Sequence, residues 1–277
     1  MSQGPYIDPR LPLIDLHRHL DGAIRLETVI ELADQQGIDL PATDVASLRP
    51  FVVVDGKAAN LMDFIGRFRY LTAILHDLDA CRRVAYENVE DARREGIDYI
   101  ELRFSPWFMS ETHQLDPAGV VEAVADGIKA AERDTGVRAQ MIGIMSRTYD
   151  ADTCHRELDA LLAHRDHLVA VDLAGDELRY PARLFQQHFR RAREAGMEVS
   201  FYVLLGLGGR DRWQQHADGT AEVINAVDPD FVRLRRIWLY RREEGSLEDC
   251  PLVEAIRAGE FAPQTPEGTV LELRRLI

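Results

Sequence analysis

The sequence predicts an α/β fold built of parallel β/α units, and three observations carry that expectation. Short apolar runs of strand length alternate with longer segments whose apolar residues recur at helical spacing. Glycines close several of the helical segments, as at Gly37, Gly96, Gly136 and Gly196. Acidic and polar residues collect where the strands end, the side on which parallel barrels carry their active sites. Strands separated by helices pair in parallel.

In order, residues 1–10 hold Gly4, Pro5 and Pro9 and read as a loose lead-in. Leu13, Ile14 and Leu16 read as a short buried strand, ended by the turn Asp21-Gly22. Leu26, Val29, Ile30 and Ala33 predict a helix over 26–36, and 41–55 reads as loop and short turns. Leu61, Phe64, Ile65, Phe68, Leu71 and Ile74 predict an amphipathic helix over 61–75, and Asp79 is expected to cap the next, which runs to Gly96. From there the rhythm is regular: strand 98–104, a loop after Pro106, helix 117–135, strand 139–145, helix 151–163, strand 168–174, helix 181–195 and strand 198–205. A sixth strand is expected near 231–238.

Composition narrows the class of function. The chain of 277 residues is 46% apolar and 29% charged, ordinary for a globular protein with a full core. Its formal charge of −14 speaks against a nucleic-acid partner. Cys81, Cys154 and Cys250 are too scattered for a disulfide framework or a Cys-x2-Cys metal site. No apolar run reaches the roughly 18 residues of a membrane span, and no charged-then-apolar leader opens the sequence, so a cytoplasmic address is expected. Of the 33 basic residues only Lys57 and Lys129 are lysines, which reads as a coding bias.

The stretch with the densest chemistry is His17-Arg18-His19-Leu20-Asp21-Gly22. On a strand, residues i and i+2 point to one side, so His17 and His19 face one way at the carboxyl end of the first strand. Two neutral imidazoles so placed suit a divalent metal such as zinc. Taken alone, the same pair also reads as one packed polar residue and one on the rim.

Further blocks give the pair a context. Asp15-Leu16-His17-Arg18-His19-Leu20-Asp21-Gly22, Tyr99-Ile100-Glu101-Leu102-Arg103-Phe104-Ser105-Pro106, Gly143-Ile144-Met145-Ser146-Arg147 and Val171-Asp172-Leu173-Ala174-Gly175-Asp176-Glu177 occur in this order over about residues 11–196. Together they resemble the adenosine deaminase family, zinc hydrolases on a (β/α)8 barrel that convert adenosine to inosine and ammonia. The resemblance implies that His17 and His19 are zinc ligands, and that His19 and Asp21 contact the substrate, Asp21 through a ribose hydroxyl. It implies that the Gly175 backbone N–H meets the purine ring. It makes Zn2+ the expected cofactor and a small purine nucleoside the expected partner, and leaves the oligomeric state open. In that chemistry zinc lowers the pKa of a bound water toward about 7, and a carboxylic acid protonates the ring nitrogen.

The resemblance then breaks off. The family carries His-Ala-Gly-Glu after its fifth strand, supplying a third zinc ligand and the catalytic acid, and later strands add a histidine and an Asp-Asp pair. Counted from Gly196, Tyr202 stands where the ligand histidine is expected and Leu205 where the glutamate is expected. A phenol of pKa about 10 is a poor zinc ligand, and an alkyl chain carries no proton. Asp176, Glu177 and Glu101 are the acids left to recruit. The last histidine, His216, lies in a helical-looking segment and reads as a surface residue.

Residues 197–277 resemble instead the late barrel strands of radical S-adenosylmethionine enzymes. That likeness rests on Ser200-Phe201-Tyr202-Val203-Leu204-Leu205-Gly206-Leu207-Gly208-Gly209, on Asp228-Pro229-Asp230-Phe231-Val232-Arg233-Leu234, on Gly259-Glu260-Phe261 and on Glu272-Leu273-Arg274-Arg275-Leu276-Ile277. The Cys-x3-Cys-x2-Cys that would bind their cluster is absent. The glycine run also lacks the Lys-Ser/Thr of a phosphate-binding loop. The join falls within about 190–201, where both patterns call for helix, glycine and strand.

The expected architecture is therefore an incomplete (β/α) TIM-type barrel of about six parallel strands, ending before strands seven and eight. Its 11–196 part is deaminase-like, and 197–277 completes or abuts it. Uncovered sheet edges predict association or weak stability. Two functions stay open: a zinc-dependent adenosine deaminase impaired by its missing groups, or an inactive relic with at most weak metal or nucleoside binding.

Overall fold

The computed structural model describes residues 11–54, 65–176, 179–198, 200–237, 239 and 250–277. The lead-in over 1–10 lies outside the described residues. The chain forms two units, residues 1–197 and 198–277, each taken separately below.

In the first unit, strands β1 (Ile14–His19), β2 (Tyr99–Phe104), β3 (Arg138–Ser146) and β4 (Leu168–Ala174) form one parallel sheet in sequential order. Helices α1 (Leu26–Gln36), α2 (Val45–Val52), α3 (Arg69–Ala73) and α4 (Leu78–Arg94) lie between β1 and β2. The short α5 (Pro106–Ser110) and long α6 (Pro117–Thr135) follow β2, α7 (Ala151–Ala163) follows β3, and α8 (Gln186–Glu194) follows β4. On β2 the alternation is strict: Ile100, Leu102 and Phe104 are fully buried in the main core with Val84, Val89, Val120 and Val124 of α4 and α6. Tyr99, Glu101 and Arg103 point to the other face, as a period of two requires.

Helix starts are set by side-chain caps. Asp116 and Asp150 accept backbone N–H bonds from the first turns of α6 and α7, and Gly136 closes α6 in the left-handed conformation. Three expectations are corrected here. The 41–55 loop contains α2, because Asp44 accepts the Ser47 N–H at 3.0 Å and nucleates it. The cap of α4 is Asp77, which is extended and accepts the Ala80 N–H at 2.8 Å, whereas Asp79 lies inside the first turn and pairs with Arg82. The first strand is not buried: Leu13, Ile14 and Leu16 are 36%, 57% and 51% exposed, because β1 is the edge of the sheet. Of the helix expected over 61–75, residues 61–64 lie outside the described residues, and the remainder is helical to Ala73 with a turn at Phe68.

One glycine sets a close approach. A Cβ on Gly143 of β3 would stand 2.2 Å from Leu161 Cδ2, so only a bare α-carbon lets α7 pack at this distance. In the second unit, β5 (Ser200–Leu205) and β6 (Phe231–Arg236) pair in parallel around α9 (Trp213–Val227), followed by α10 (Pro251–Arg257) and α11 (Pro266–Leu276). All of β6 is exposed, including Phe231, Val232 and Leu234. Among the described residues, pairing within each unit is parallel, in a sheet of four strands in the first and of two in the second. No helix among the described residues is long and apolar enough to cross a membrane.

Candidate active site

The sequence-predicted residues lie at or just past the carboxyl ends of β1 and β4, the two outer strands of the four-stranded sheet. Pairing of β1 with β2 shifts register between Asp15 and Arg18, and the Asp15 carboxylate accepts the His17 N–H at 3.0 Å inside that irregularity. Beyond it, the His17 and His19 rings lie with centroids 5.6 Å apart and planes tilted by 51°. His17 is exposed and His19 half-buried, so neither is a packed core histidine.

The strand runs directly into a 3-10 turn, Leu20–Gly22, that drives Asp21 inward. Asp21 is 3% exposed. Its Oδ2 accepts the Ser105 N–H at 3.4 Å, and Oδ1 stands 3.8 Å from His19 Nδ1. Oδ1 is buried with no hydrogen-bond partner, an arrangement that costs stability and points to an absent donor.

At the end of β4, Gly175 has φ +119°, and a Cβ there would lie 2.7 Å from both Thr148 N and Oγ1. Glycine is required on both counts. Across the inner face, Arg103 donates to Asp172 at 2.6 Å, tying β2 to β4 over β3. Of the acids left to recruit, Glu101 accepts the Tyr99 hydroxyl at 2.9 Å and Asp176 accepts the Arg179 N–H at 3.0 Å. Glu177 lies outside the described residues.

Sequence reasoning missed Glu157, the one acid on the buried stripe Cys154, Glu157, Leu158 and Leu161 of α7. An acid at i+3 within an apolar stripe was the available signal. Glu157 is fully buried; Oε2 accepts the Ser146 N–H at 2.6 Å, and Oε1 accepts the Ser105 hydroxyl and, at 3.4 Å, the Trp107 N–H. Burial pushes its pKa up to about 7, against these hydrogen bonds, which act to lower it. Burial also raises the Cys154 thiol, so that cysteine is an inert core residue.

The later expectations resolve differently. Tyr202 on β5 is 61% exposed, with its hydroxyl accepting from Arg233 at 3.2 Å, and Leu205 is buried in the second unit. His216 is only partly exposed, and its Nδ1 meets the fully buried Glu272 at 2.8 Å, so it is tied into the second unit rather than free at the surface. Both Glu272 oxygens also accept the Gly206 N–H at 3.1 Å. A carboxylate on the first N–H of the glycine run would repel a phosphate, which disposes of a phosphate-loop reading.

Zinc sites use three or four protein donors. Among the described residues no group of three or more His, Cys, Asp or Glu comes together to hold a metal. What the structure brings together is the His17–His19 ring pair, with Asp21 Oδ1 3.8 Å from His19 Nδ1.

A family model described as Adenosine deaminase matches residues 12–202. An adenosine deaminase of Shewanella loihica is 50% identical over 250 residues, covering 88% of this chain and 74% of that protein. One of Vibrio parahaemolyticus is 53% identical over 208 residues, covering 75% of this chain and 62% of that protein. Among solved structures, a Burkholderia ambifaria amidohydrolase with bound Zn superposes with TM-score 0.64 at 25% identity, covering 83% of this chain and 62% of that one. An adenine deaminase of Arthrobacter aurescens gives 0.65 at 23% identity, covering 80% and 64%. The chain thus spans less than two thirds of the Vibrio protein and of both solved structures.

Proposed function

Because this chain belongs to the adenosine deaminase family, we propose that it binds a purine nucleoside at the ends of β1 to β4, and that its hydrolytic deamination is impaired. The observation that carries the binding half is Asp21 Oδ1, a buried acceptor with no hydrogen bond, just past the end of β1. A ribose hydroxyl donated to it would satisfy the carboxylate and recover the cost of leaving it unpaired. Gly175, whose φ of +119° and close packing on Thr148 admit no side chain, would offer its backbone N–H as donor to a purine ring nitrogen. His17 and His19 would contribute two imidazoles toward zinc, whose chemistry when bound is to make a water acidic enough to attack at neutral pH.

Impairment follows from Tyr202 and Leu205 at the two positions where the family's third ligand and proton donor are expected. Loss of a positioned acid alone typically costs 10²–10⁴-fold, roughly, in rate. A second reading, a fully active adenosine deaminase, is favoured by the 50% and 53% identity to curated adenosine deaminases. The radical-enzyme likeness of residues 197–277 is not carried further, because the 250-residue match to the Shewanella adenosine deaminase is longer than the first unit and so runs into this segment.

The test pairs binding with turnover. Titration calorimetry is expected to detect adenosine binding by the natural chain and its loss in Asp21→Ala. Ultraviolet absorbance with added zinc is expected to show negligible conversion to inosine. Turnover that His17→Ala abolishes would sink the impaired reading, and adenosine binding unchanged in Asp21→Ala would sink the site.

A further inference from the structure

We propose that Glu157 is a positioning residue for the nucleoside site, a single buried carboxylate that sets the strand ends carrying both Asp21 and Gly175. This rests on the reading of those two residues as nucleoside contacts. Two chains of contacts leave Glu157. Toward Asp21, Oε1 accepts the Ser105 hydroxyl, whose oxygen also caps α5 by accepting the Phe108 N–H at 3.0 Å. The Ser105 N–H then donates to Asp21 Oδ2. Toward Gly175, Oε2 holds the Ser146 N–H at the last residue of β3, and the next N–H, from Arg147, is donated to Ala174 O at 2.8 Å. Ala174 is the last residue of β4, and Thr148 packs where Gly175 lacks a side chain.

Glu157 therefore bonds Ser105, just past β2, and Ser146 of β3 directly, reaches Asp21, just past β1, through Ser105, and reaches Ala174 of β4 through Ser146 and Arg147. Its own place is set by Gly143, which admits Leu161 one turn further along α7. A residue needed only to fill space would avoid the cost of burying an acid. Burial raises its pKa to about 7, showing that this cost is present. A carboxylate offers acceptors to two strand ends at once, which no apolar side chain does.

The experiment has two arms on the full chain. Backbone hydrogen exchange is read at Ser105 and Ser146 and across residues 20–22, and adenosine affinity is read by calorimetry. Glu157→Ala is expected to speed exchange at those positions and to weaken adenosine binding by about tenfold or more. Glu157→Gln keeps an acceptor for Ser146, and is expected to restore most of both. If Glu157→Ala does not fold, Ser105→Ala cuts the same chain one link later and is expected to loosen residues 20–22 while leaving Ser146 protected. Unchanged exchange at the strand ends in a folded Glu157→Ala overturns the proposal, as does looser exchange with unaltered affinity. If the natural chain binds no adenosine, the nucleoside reading fails, and the exchange arm alone decides whether Glu157 positions these ends.

Discussion

Glu157→Gln gives a sharp test of the energetics at the centre of the sheet end. In the folded chain the carboxyl is fully buried and its pKa stands near 7, against an ordinary value of 4.5. Between those two values the folded state keeps a proton that the unfolded state has lost. Folding is therefore favoured by acid: the contribution is fully present below about 4.5 and is lost as pH rises through about 7. A displacement of that size corresponds to about 3 kcal/mol, a large share of a typical domain's stability. Glutamine has nearly the same shape and no charge to lose, so the variant lacks this slope. Urea unfolding of both proteins, followed by far-ultraviolet circular dichroism from about pH 5 to about pH 8, measures it. The natural chain is expected to lose about 2.5 kcal/mol relative to the variant across that range, with other titrating groups cancelling in the difference. A constant difference would refute the reasoning, since Glu157 would then carry the same charge folded and unfolded.

Other expectations use the same structure. His188 is almost fully buried, stacked on His155 with centroids 3.6 Å apart, and burial holds its pKa below the ordinary 6.5. Its contribution has the opposite sign, present above about 6.5 and lost as pH falls and the unfolded chain takes up the proton, so His188→Phe is expected to flatten the acid side of the unfolding series. Asp21→Asn removes a buried charge with one unpaired oxygen, and is expected to raise stability by about 1 kcal/mol in thermal unfolding while abolishing adenosine binding in calorimetry. Gly175→Ala forces an L residue to φ +119° with its Cβ 2.7 Å from Thr148 N, and is expected to cost about 2 kcal/mol or more in the same unfolding measurement.

The sequence by itself determined where the strands and most of the helices run and which family the blocks belong to. Each strand core, from Ile14 to Phe231, was legible because periodicity and turn residues act between near neighbours in the chain. The His17–His19 pair was legible for the same reason, two residues on one strand having little choice of side. Only the tertiary structure decided what lies beside what. Leu13, Ile14 and Leu16 have the composition of a buried strand, yet their exposure depends on what covers them, and β1 is a sheet edge. His216 and Glu272 stand 56 residues apart in sequence and meet at 2.8 Å, a pairing that no local pattern encodes. Glu157 shows the difference most plainly. Its place on an apolar stripe was readable, but its joining of Ser105 to Ser146 depends on α7 packing against β3 at the one spot where Gly143 has no side chain. Long-range contacts of this kind follow from close packing of the whole unit, in which every neighbour constrains the others at once.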